Sequence, residues 1–443
     1  MARINPFAPN SPVAPGMFVG RLPQVEALEH ALLQTRAGRP KGFMLTGERG
    51  IGKTSLLQYF KWVAQGRIPI GGSDTVNFLV AQLDHDSSST DVGLIRRVEL
   101  GLKREFSKAD PALSFLKKSW EFLQRLEACG VSLRESEPDT DSETLYDEFA
   151  YSLARTTSRI SEPDAASVFG AKYDGVILLI DEADNAPKSL RLGAFLKLLS
   201  ERVQRAGCNR LMIGLAGMPT LREVLREGHP SSLRIFDELP LDTLSRHEVS
   251  QVIDRALEEA NRENEEQTTI DEEGREFLIH FSEGYPHFIQ EFGYSAFAAD
   301  TDMVINQTDV INGGFDPLGA MDKIGDRYYR GDFYKKIQTA SYRQVLLIMA
   351  GSGNKWVSKG DIKKSFSGNT TTLNNAIKAL VDRKIILAKE GARGIYRLQH
   401  RGFALWIKLK AKHQEGQLEI NVESVGSPQP NGGLINQPFP RQP

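Results

Sequence analysis

Residues 44–54, which read MLTGERGIGKT, constrain the fold of this chain more than any other segment. They match the phosphate-binding loop (P-loop) pattern G-x-x-x-x-G-K-T, and a strand at Gly42–Thr46 and a helix at Lys53–Gln65 are predicted on either side. Three glycines allow backbone N–H groups to turn toward phosphate oxygens, and the helix adds the positive end of its dipole. The segment therefore predicts a nucleotide site between a strand and a helix.

Two side chains of this loop have separate expected roles. Lys53 can reach the β- and γ-phosphates of a bound nucleotide, and the Thr54 hydroxyl can hold Mg²⁺. The residues expected to bind the nucleotide are Gly47, Glu48, Arg49, Gly50, Ile51, Gly52, Lys53, Thr54 and Ser55.

A second half of the site is predicted where the apolar run Val176–Ile180 meets two acids. Five consecutive apolar residues are typical of a strand buried on both faces of a parallel sheet. At the end of this strand, Asp181 would hold Mg²⁺ directly or through water. Glu182 is placed to orient and deprotonate a water that attacks the γ-phosphate. The pair predicts hydrolysis of a nucleoside triphosphate.

Strands and helices alternate along the first half of the chain. Further strands are predicted at Asn77–Leu83 and Leu211–Ala216, and a long helical and polar stretch (about 91–160) precedes the acidic strand. One more core strand and then helices are expected after it. This alternation favours an α/β fold, with a parallel sheet, helices on both faces and the nucleotide at the carboxyl ends of the strands.

Composition narrows the cellular setting. The 443 residues suffice for two or three domains, and no apolar run reaches 18 residues, so no membrane-spanning helix is expected. The first residues lack the apolar stretch of a secretory signal. Cys129 and Cys208, the two cysteines, do not have the spacing of a zinc site or a disulfide framework, which favours a reducing cytoplasm.

Charge is unevenly distributed along the chain. Residues Ala340–His413 contain 15 Lys and Arg but only three acids, so their net charge is +12. The whole chain has a formal net charge of −2, so the remainder carries −14. This asymmetry predicts one acidic and one basic working surface.

Periodicity and composition also predict how the chain is divided. The expected parts are an extended proline-rich arm (1–17), a nucleotide-binding domain (18–240), a small helical lid (241–315), a connector (316–339), a winged-helix domain (340–413) and a disordered tail (414–443). A capping box of Ser245 and Glu248 is predicted to open the first lid helix.

Together these motifs resemble those of AAA+ ATPases of the origin-recognition and STAND-like branch, in particular prokaryotic ATP-binding proteins with a C-terminal winged helix. The resemblance spans about residues 18–410. It rests on Phe18–Arg21, the P-loop, the acids Asp181 and Glu182, and the G-x-P segment Gly284–Gln290. It implies that the nucleotide is ATP, bound with Mg²⁺, and that the protein hydrolyses it.

The resemblance also implies roles for residues outside the two main motifs. Residues Phe18–Arg21 would pack near the adenine, although an ordinary chain entry fits equally. Pro286 would lie close to the nucleotide, and His287 stands where relatives place a sensor arginine, or is a surface histidine. Thr220 is the polar residue nearest the sensor position of the fourth strand. Arg234 falls where an arginine finger is often supplied, or is a surface arginine.

Two functions fit these features. In the first, ATP controls a DNA-associated protein that grips double-stranded DNA through residues 358–398. In the second, the winged helix is the nucleotide-gated lid of a signalling ATPase, and the output is assembly with further copies or a partner protein. Affinity for duplex DNA that falls steeply with salt would separate the two. The residues expected to contact DNA are Thr371, Asn375, Lys378, Lys389 and Arg393.

Overall fold

The computed structural model describes most of the chain and divides it into two compact units. The first unit is Pro12–Asp242, and the second combines Met1–Ser11 with Thr243–Pro443. Cys129 and the part of the predicted tail beyond Gln414 lie outside the described residues. The described residues are 3–11, 18–84, 90–106, 110–128, 141–331, 337, 339–352, 355–383, 385–389, 391–398 and 401–414.

A parallel β-sheet organises the described part of the first unit. Its strands are β1 (Gly42–Gly47), β2 (Phe78–Asp84), β3 (Gly175–Asp181), β4 (Leu211–Gly217) and β5 (Phe236–Leu241). They pair in the order β2-β3-β4-β1-β5, and every pairing is parallel. Every residue of β3 and β4 is buried, as expected for strands covered on both faces. The predicted α/β sheet is confirmed, and the carboxyl ends of its strands meet at one edge.

Strand β5 corrects the prediction that a single core strand follows the acidic strand. It reads FDELPL and lies beside β1 at the edge of the described sheet. Only its first and last residues are buried. An edge strand tolerates the polar residues and the proline in the middle, because one side of its backbone pairs with no strand of the sheet. Such a strand lacks the continuous apolar run that predicted β3.

Helices pack around this sheet. The described helices of the first unit are α1 (Leu22–Arg36), α2 (Lys53–Ala64), α3 (Asp91–Glu105), α4 (Asp110–Ser119), α5 (Glu121–Ala128), α6 (Asp141–Ile160), α7 (Ala165–Phe169), α8 (Leu192–Arg205) and α9 (Leu221–Gly228). Helices α3 to α7 form the predicted helical stretch between β2 and β3. The Trp120 ring packs edge-on against Phe149, and its indole N–H donates to Thr156 Oγ1 (3.2 Å). These aromatic rings belong to one apolar core with residues of β3, so the insertion supports the strand that carries the acids.

The second unit is mainly helical. In neither unit do the described residues include a helix that is long and apolar enough to cross a membrane. The predicted capping box is confirmed, since the Ser245 side chain and the Glu248 carboxylate each bond to the other residue's backbone N–H. Strands of the second unit form an antiparallel sheet in the order β8-β10-β9 and a parallel pair, β6 with β7. The elements, in chain order, are α10 (Arg246–Glu263), β6 (Thr269–Ile270), α11 (Glu272–Ser282), α12 (Pro286–Ala299), β7 (Val304–Ile305), α13 (Gln307–Phe315), α14 (Ala320–Ile324), α15 (Ala340–Gly351), β8 (Val357–Ser358), α16 (Lys359–Ser365), α17 (Thr370–Asp382), β9 (Ile386–Ala388), β10 (Ile395–Leu398) and α18 (Arg401–Gln414).

Two segments of the second unit differ from expectation. The stretch predicted as a connector contains α14 and a π-helical turn, Gly325–Tyr329, and its Tyr329 side chain is buried. Helix α18 was not predicted, and its Trp406 is fully buried. The Trp406 ring lies against Gly325, where a Cβ would come within 1.9 Å of the indole Nε1. The described part of this stretch is therefore packed, with its π-helical turn against α18.

The predicted arm is packed onto the second unit. Residues 3–11 contain neither helix nor strand, in keeping with an extended arm. Phe7 within them is only 1% exposed. Phe7 therefore belongs to the apolar core of the second unit.

Candidate nucleotide site

The P-loop joins the end of β1 to the start of α2 at the carboxyl edge of the sheet. Gly50 and Gly52 have φ of 81° and 96°, a left-handed region that other residues enter at a cost. Gly47 is confined, because a Cβ on it would lie 2.8 Å from Ile51 Cγ2. Gly52 caps α2 without a side-chain hydrogen bond, so the first N–H groups of this helix are available to an anion.

Lys53 is held across the loop by its own backbone. Its Nζ donates to the carbonyl oxygens of Gly47 and Glu48, each at 2.8 Å. The side chain is half-buried, and burial lowers the pKa of the ammonium, against the opposing effect of Asp181 and other nearby acids. Because a partly desolvated cation is stabilised by an anion, this position favours a phosphate.

Thr54 and Asp181 meet although 127 positions separate them in the chain. Thr54 Oγ1 donates to Asp181 Oδ2 at 2.8 Å, and the other carboxylate oxygen accepts the Glu182 N–H at 2.8 Å. Asp181 is 4% exposed at the end of β3. The structure thus brings the two halves predicted from the sequence together.

Glu182 has an unusual backbone conformation for a residue with a side chain. Its φ of 50° and ψ of 34° lie in the left-handed region, where a non-glycine residue costs about 1–3 kcal/mol and persists only when its surroundings fix it. The Asp181 carboxylate supplies part of this restraint through the Glu182 N–H. The Glu182 side chain is exposed, and its Oε2 accepts a hydrogen bond from Asn185 Nδ2 (3.2 Å).

Two further acids support the site and were not predicted from the sequence. Asp184 Oδ1 accepts the Met218 N–H at 2.9 Å, which ties the acidic turn to the end of β4. Glu238, on β5, accepts from Thr46 Oγ1 at 3.0 Å. Asp184 belongs to the run D-E-A-D, which is visible in the sequence. Its partner, Met218 at the end of β4, follows only from the strand order of the sheet.

The segment before α1 is anchored at the P-loop. Phe18 stacks on Tyr59 of α2, with ring centroids 4.9 Å apart and planes inclined by 17°. The Arg21 guanidinium donates to the Ile51 carbonyl oxygen at 3.2 Å. The segment therefore adjoins the P-loop, whereas its predicted contact with adenine stays a prediction.

The other predicted residues are spread over both units. Arg49 is exposed on the loop, and Ser55 is partly buried in the first turn of α2. Thr220 precedes α9 and makes no side-chain capping bond there. Arg234 is exposed on a 3₁₀ turn just before β5.

Pro286 and His287 open α12, in the second unit. His287 Nε2 lies 3.2 Å from the Arg327 guanidinium and 3.5 Å from Glu291 Oε1. Their predicted contacts with the nucleotide stay predictions.

Comparison with known proteins finds a family model and solved structures that are similar to this chain. Residues 17–213 match the family model described as AAA ATPase domain. The Walker-type ATPase PABY2304 of Pyrococcus abyssi is 16% identical with a TM-score of 0.53, covering 88% of this chain and 96% of that one. The ORC2 protein of Aeropyrum pernix (13%, TM-score 0.49) covers 89% of this chain and 96% of that one. Cdc6p of Pyrobaculum aerophilum (14%, TM-score 0.43) covers 94% and 98%. No curated protein matches the sequence.

The family match covers both halves of the candidate site. The matched residues include the P-loop, Asp181 and Glu182, and they extend into β4. The likeness to the Pyrococcus ATPase supports the fold of this sheet. Residues 17–213 are therefore similar to an AAA ATPase domain, and the protein is an ATPase.

Proposed function

We propose that the protein is an ATP-controlled switch whose nucleotide state governs how its second unit holds double-stranded DNA. The observation that carries this proposal is the exposed polar and basic face of α17. Thr371, Asn375 and Lys378 are exposed on this helix. Leu373, Ile377 and Leu380, on its other side, are buried.

The residues around Thr54 suit Mg²⁺ bound together with ATP. A hydroxyl and a carboxylate 2.8 Å apart are the oxygen donors that this ion takes alongside phosphates and waters. No group of three or more His, Cys, Asp or Glu in the described residues could hold a metal by itself, so phosphates and waters would complete the shell. When bound, Mg²⁺ neutralises charge on the β- and γ-phosphates.

The side chains of the site then have distinct roles in hydrolysis. Lys53 exchanges its two loop carbonyl acceptors for phosphate oxygens, which carry more negative charge. Glu182 orients the attacking water and accepts its proton. We extend the proposal to Arg234 as an arginine finger and to Pro286 and His287 as lid residues beside the nucleotide.

The block from α15 to β10 supports assignment as a winged helix. Helices α15, α16 and α17 are followed by the β9–β10 hairpin, which pairs with β8. In such an arrangement α17 is the helix that enters a major groove, and the hairpin is the wing. Lys389 and Arg393, near the tip of the hairpin, are exposed and can reach backbone phosphates.

Electrostatics favours a polyanion as the ligand of this block. The excess of 12 positive charges in residues 340–413 contrasts with the acidity of the rest of the chain. Each phosphate neutralised by Lys or Arg releases counterions, which makes affinity depend steeply on salt. DNA is therefore a better fit to this basic surface than a neutral protein.

A double charge reversal tests DNA binding. For Lys378→Glu with Arg393→Glu we expect weaker duplex binding and a slope of log K against log salt that is shallower by about 2, because two phosphate contacts are lost. The measurement is fluorescence anisotropy on labelled duplex over a salt series. Lys172→Glu with Arg226→Glu, exposed residues of the first unit, makes the same charge change as a control. Equal affinities of the two double variants would refute α17 and the wing as the DNA surface.

A second candidate is a signalling ATPase, and the packing of α18 favours it. Tyr329 of the π-helical turn packs on Phe403, with ring centroids 5.0 Å apart, and on Trp406. The block that begins at α15 is thus joined to the helices before it by a buried aromatic contact, as a nucleotide-gated lid requires. ATP-dependent oligomers together with no duplex binding at low salt would establish this candidate instead.

A further inference from the structure

The turn that follows β3 carries the proposed base, and its backbone is tightly folded. Glu182 adopts a left-handed conformation directly after the strand, with φ of 50° and ψ of 34°. A 3₁₀ turn, Ala183–Asn185, comes next, and the Asn185 N–H donates to the Glu182 carbonyl oxygen at 2.9 Å. Ala183 is fully buried within this turn. Because a non-glycine residue keeps such a conformation only where its surroundings fix it, the contacts of the turn determine where Glu182 lies.

Asp184 links this turn to the neighbouring strand. Its Oδ1 accepts the Met218 N–H at 2.9 Å, directly after the end of β4, although the two residues are 34 positions apart. The Met218 carbonyl oxygen accepts the Leu221 N–H at 2.8 Å, at the start of α9. The point of attachment is thus itself held between a strand and a helix. Loss of the bond to Met218 would remove the support that the end of β4 gives to the turn.

The end of β4 leaves space for the Asp184 carboxylate. Position 217, the last of this buried strand, is glycine. A Cβ there would lie 2.6 Å from Asp184 Oδ1 and 3.2 Å from Asp184 N. Glycine inside a strand often marks the close approach of another group. Here the approaching group is the carboxylate that holds the turn.

Asp184 could act through its charge or through its hydrogen bond. Burial lowers the pKa of the Lys53 ammonium, and Asp181 and then Asp184 are the acids that oppose this effect most. The charge of Asp184 is therefore felt at the P-loop lysine. An asparagine side chain has an oxygen acceptor but no charge, so Asp184→Asn separates the two effects.

We propose that Asp184 is a positioning residue of ATP hydrolysis, which holds the turn to the end of β4 and thereby fixes the Glu182 carboxylate for deprotonation of the attacking water. The inference rests on the proposed role of Glu182 as the base and deepens it. The end of β4 then acts through the backbone N–H of Met218, and not through a polar side chain such as Thr220. Placement matters because a general base works only within hydrogen-bond reach of the proton it accepts.

Removal and rescue of the bond form the first test. In Asp184→Ala the turn loses its attachment, and hydrolysis per bound ATP should fall by about tenfold or more, as expected for a misplaced catalytic group. Asp184→Asn keeps an acceptor for the Met218 N–H and should hydrolyse ATP near the parent rate. Single-turnover hydrolysis measures the rate, and titration of ATP with Mg²⁺ measures the bound fraction. Rates per bound ATP are not lowered by a loss of folded protein.

Asp174 provides the matched control. Its carboxylate also accepts one backbone N–H, that of Asn77, at 2.8 Å, but it precedes β3 at the opposite end of the strand. Asp174→Ala should therefore remove a comparable bond and leave the rate per bound ATP unchanged. Equal losses in Asp174→Ala and Asp184→Ala would overturn the proposal. Loss of activity in Asp184→Asn as large as in Asp184→Ala would also overturn it, because the charge would then be responsible.

Crowding of the carboxylate provides a second, independent test. In Gly217→Ala the new methyl group displaces Asp184 Oδ1 without removing an acid. The rate should fall as in Asp184→Ala, and the two substitutions together should lower it little further, since both break the same bond.

Glu182→Gln, measured alongside, separates this inference from the role of the base. If Glu182→Gln stops hydrolysis while Asp184→Ala and Gly217→Ala keep the parent rate, Glu182 remains the base and the positioning role of Asp184 is refuted. Hydrolysis at the parent rate in Glu182→Gln would overturn both.

Discussion

The side chain of Lys53 shows how far a short motif determines a site. Spacing alone predicted Lys53, Thr54 and the two acids after β3, because the P-loop is local in sequence and the acids end an apolar run. The structure adds that the ammonium is already held by two carbonyl oxygens. The supporting contacts of Asp184 and Glu238 were not predictable, because each joins residues on different strands, and strand order is not written in any local pattern.

Removal of the Lys53 ammonium should weaken ATP binding. In Lys53→Ala the phosphates lose at least one charge-assisted hydrogen bond, worth about 1.5–3 kcal/mol, so we expect affinity to fall by about tenfold to a hundredfold or more. Isothermal titration of ATP with Mg²⁺ measures the change. Lys61→Ala, on the last turn of the same helix, is the control and should bind ATP like the parent. If both variants retain the parent affinity, Lys53 does not contact the phosphates.

Among helices and strands, prediction succeeded where burial imposes a pattern. Strand β3 is buried throughout and was evident from its apolar run, and the capping box of α10 was evident from two residues. Strand β5 was missed because an edge position requires no such run. The packed turn at Gly325 was missed because its partner, Trp406, lies in another helix. These failures share a cause: the stabilising contact is made by residues far apart in sequence.

The contact between the π-helical turn and α18 predicts a strict requirement for glycine. In Gly325→Ala the new methyl group would overlap the Trp406 ring, and overpacking of a core costs about 1–3 kcal/mol. Each kcal/mol should lower the thermal midpoint of the second unit by about 2–4 °C. Gly331→Ala is the matched control, since a Cβ there meets nothing within 4 Å. Tryptophan fluorescence follows thermal unfolding of each variant. Equal thermal midpoints for the two variants would show that α18 does not pack at Gly325.

For the molecule as a whole, charge was predictable and connectivity was not. The basic block and the acidic remainder follow from counting residues, since composition needs no structure. The packing of residues 3–11 required structure, because the bond from Ala8 to Gln290 joins residues 282 positions apart. Proline-rich composition predicted an extended arm, and residues 3–11 contain neither helix nor strand, but composition does not indicate where Phe7 is buried.

A variant that binds ATP without hydrolysing it should reveal what ATP binding controls. Glu182→Gln keeps the size and polarity of the side chain but cannot accept a proton, so turnover should fall by about a hundredfold or more while ATP is retained. Phosphate release and nucleotide titration measure the two quantities. Glu162→Gln, another exposed carboxylate of the first unit, serves as the control. Hydrolysis at the parent rate would exclude Glu182 as the base.

The same variant distinguishes the two candidate outputs. If ATP controls the affinity of the second unit for DNA, the affinity of Glu182→Gln for duplex should differ by about tenfold or more between samples with and without ATP. Such a ratio lies within the usual range of coupling between sites. Anisotropy at low salt measures this ratio, and light scattering of the same samples measures the mass of the protein. A ratio of one with ATP-dependent growth in mass assigns the output to protein assembly. A ratio different from one at constant mass assigns it to DNA, because the bound nucleotide is then the only difference between the two samples.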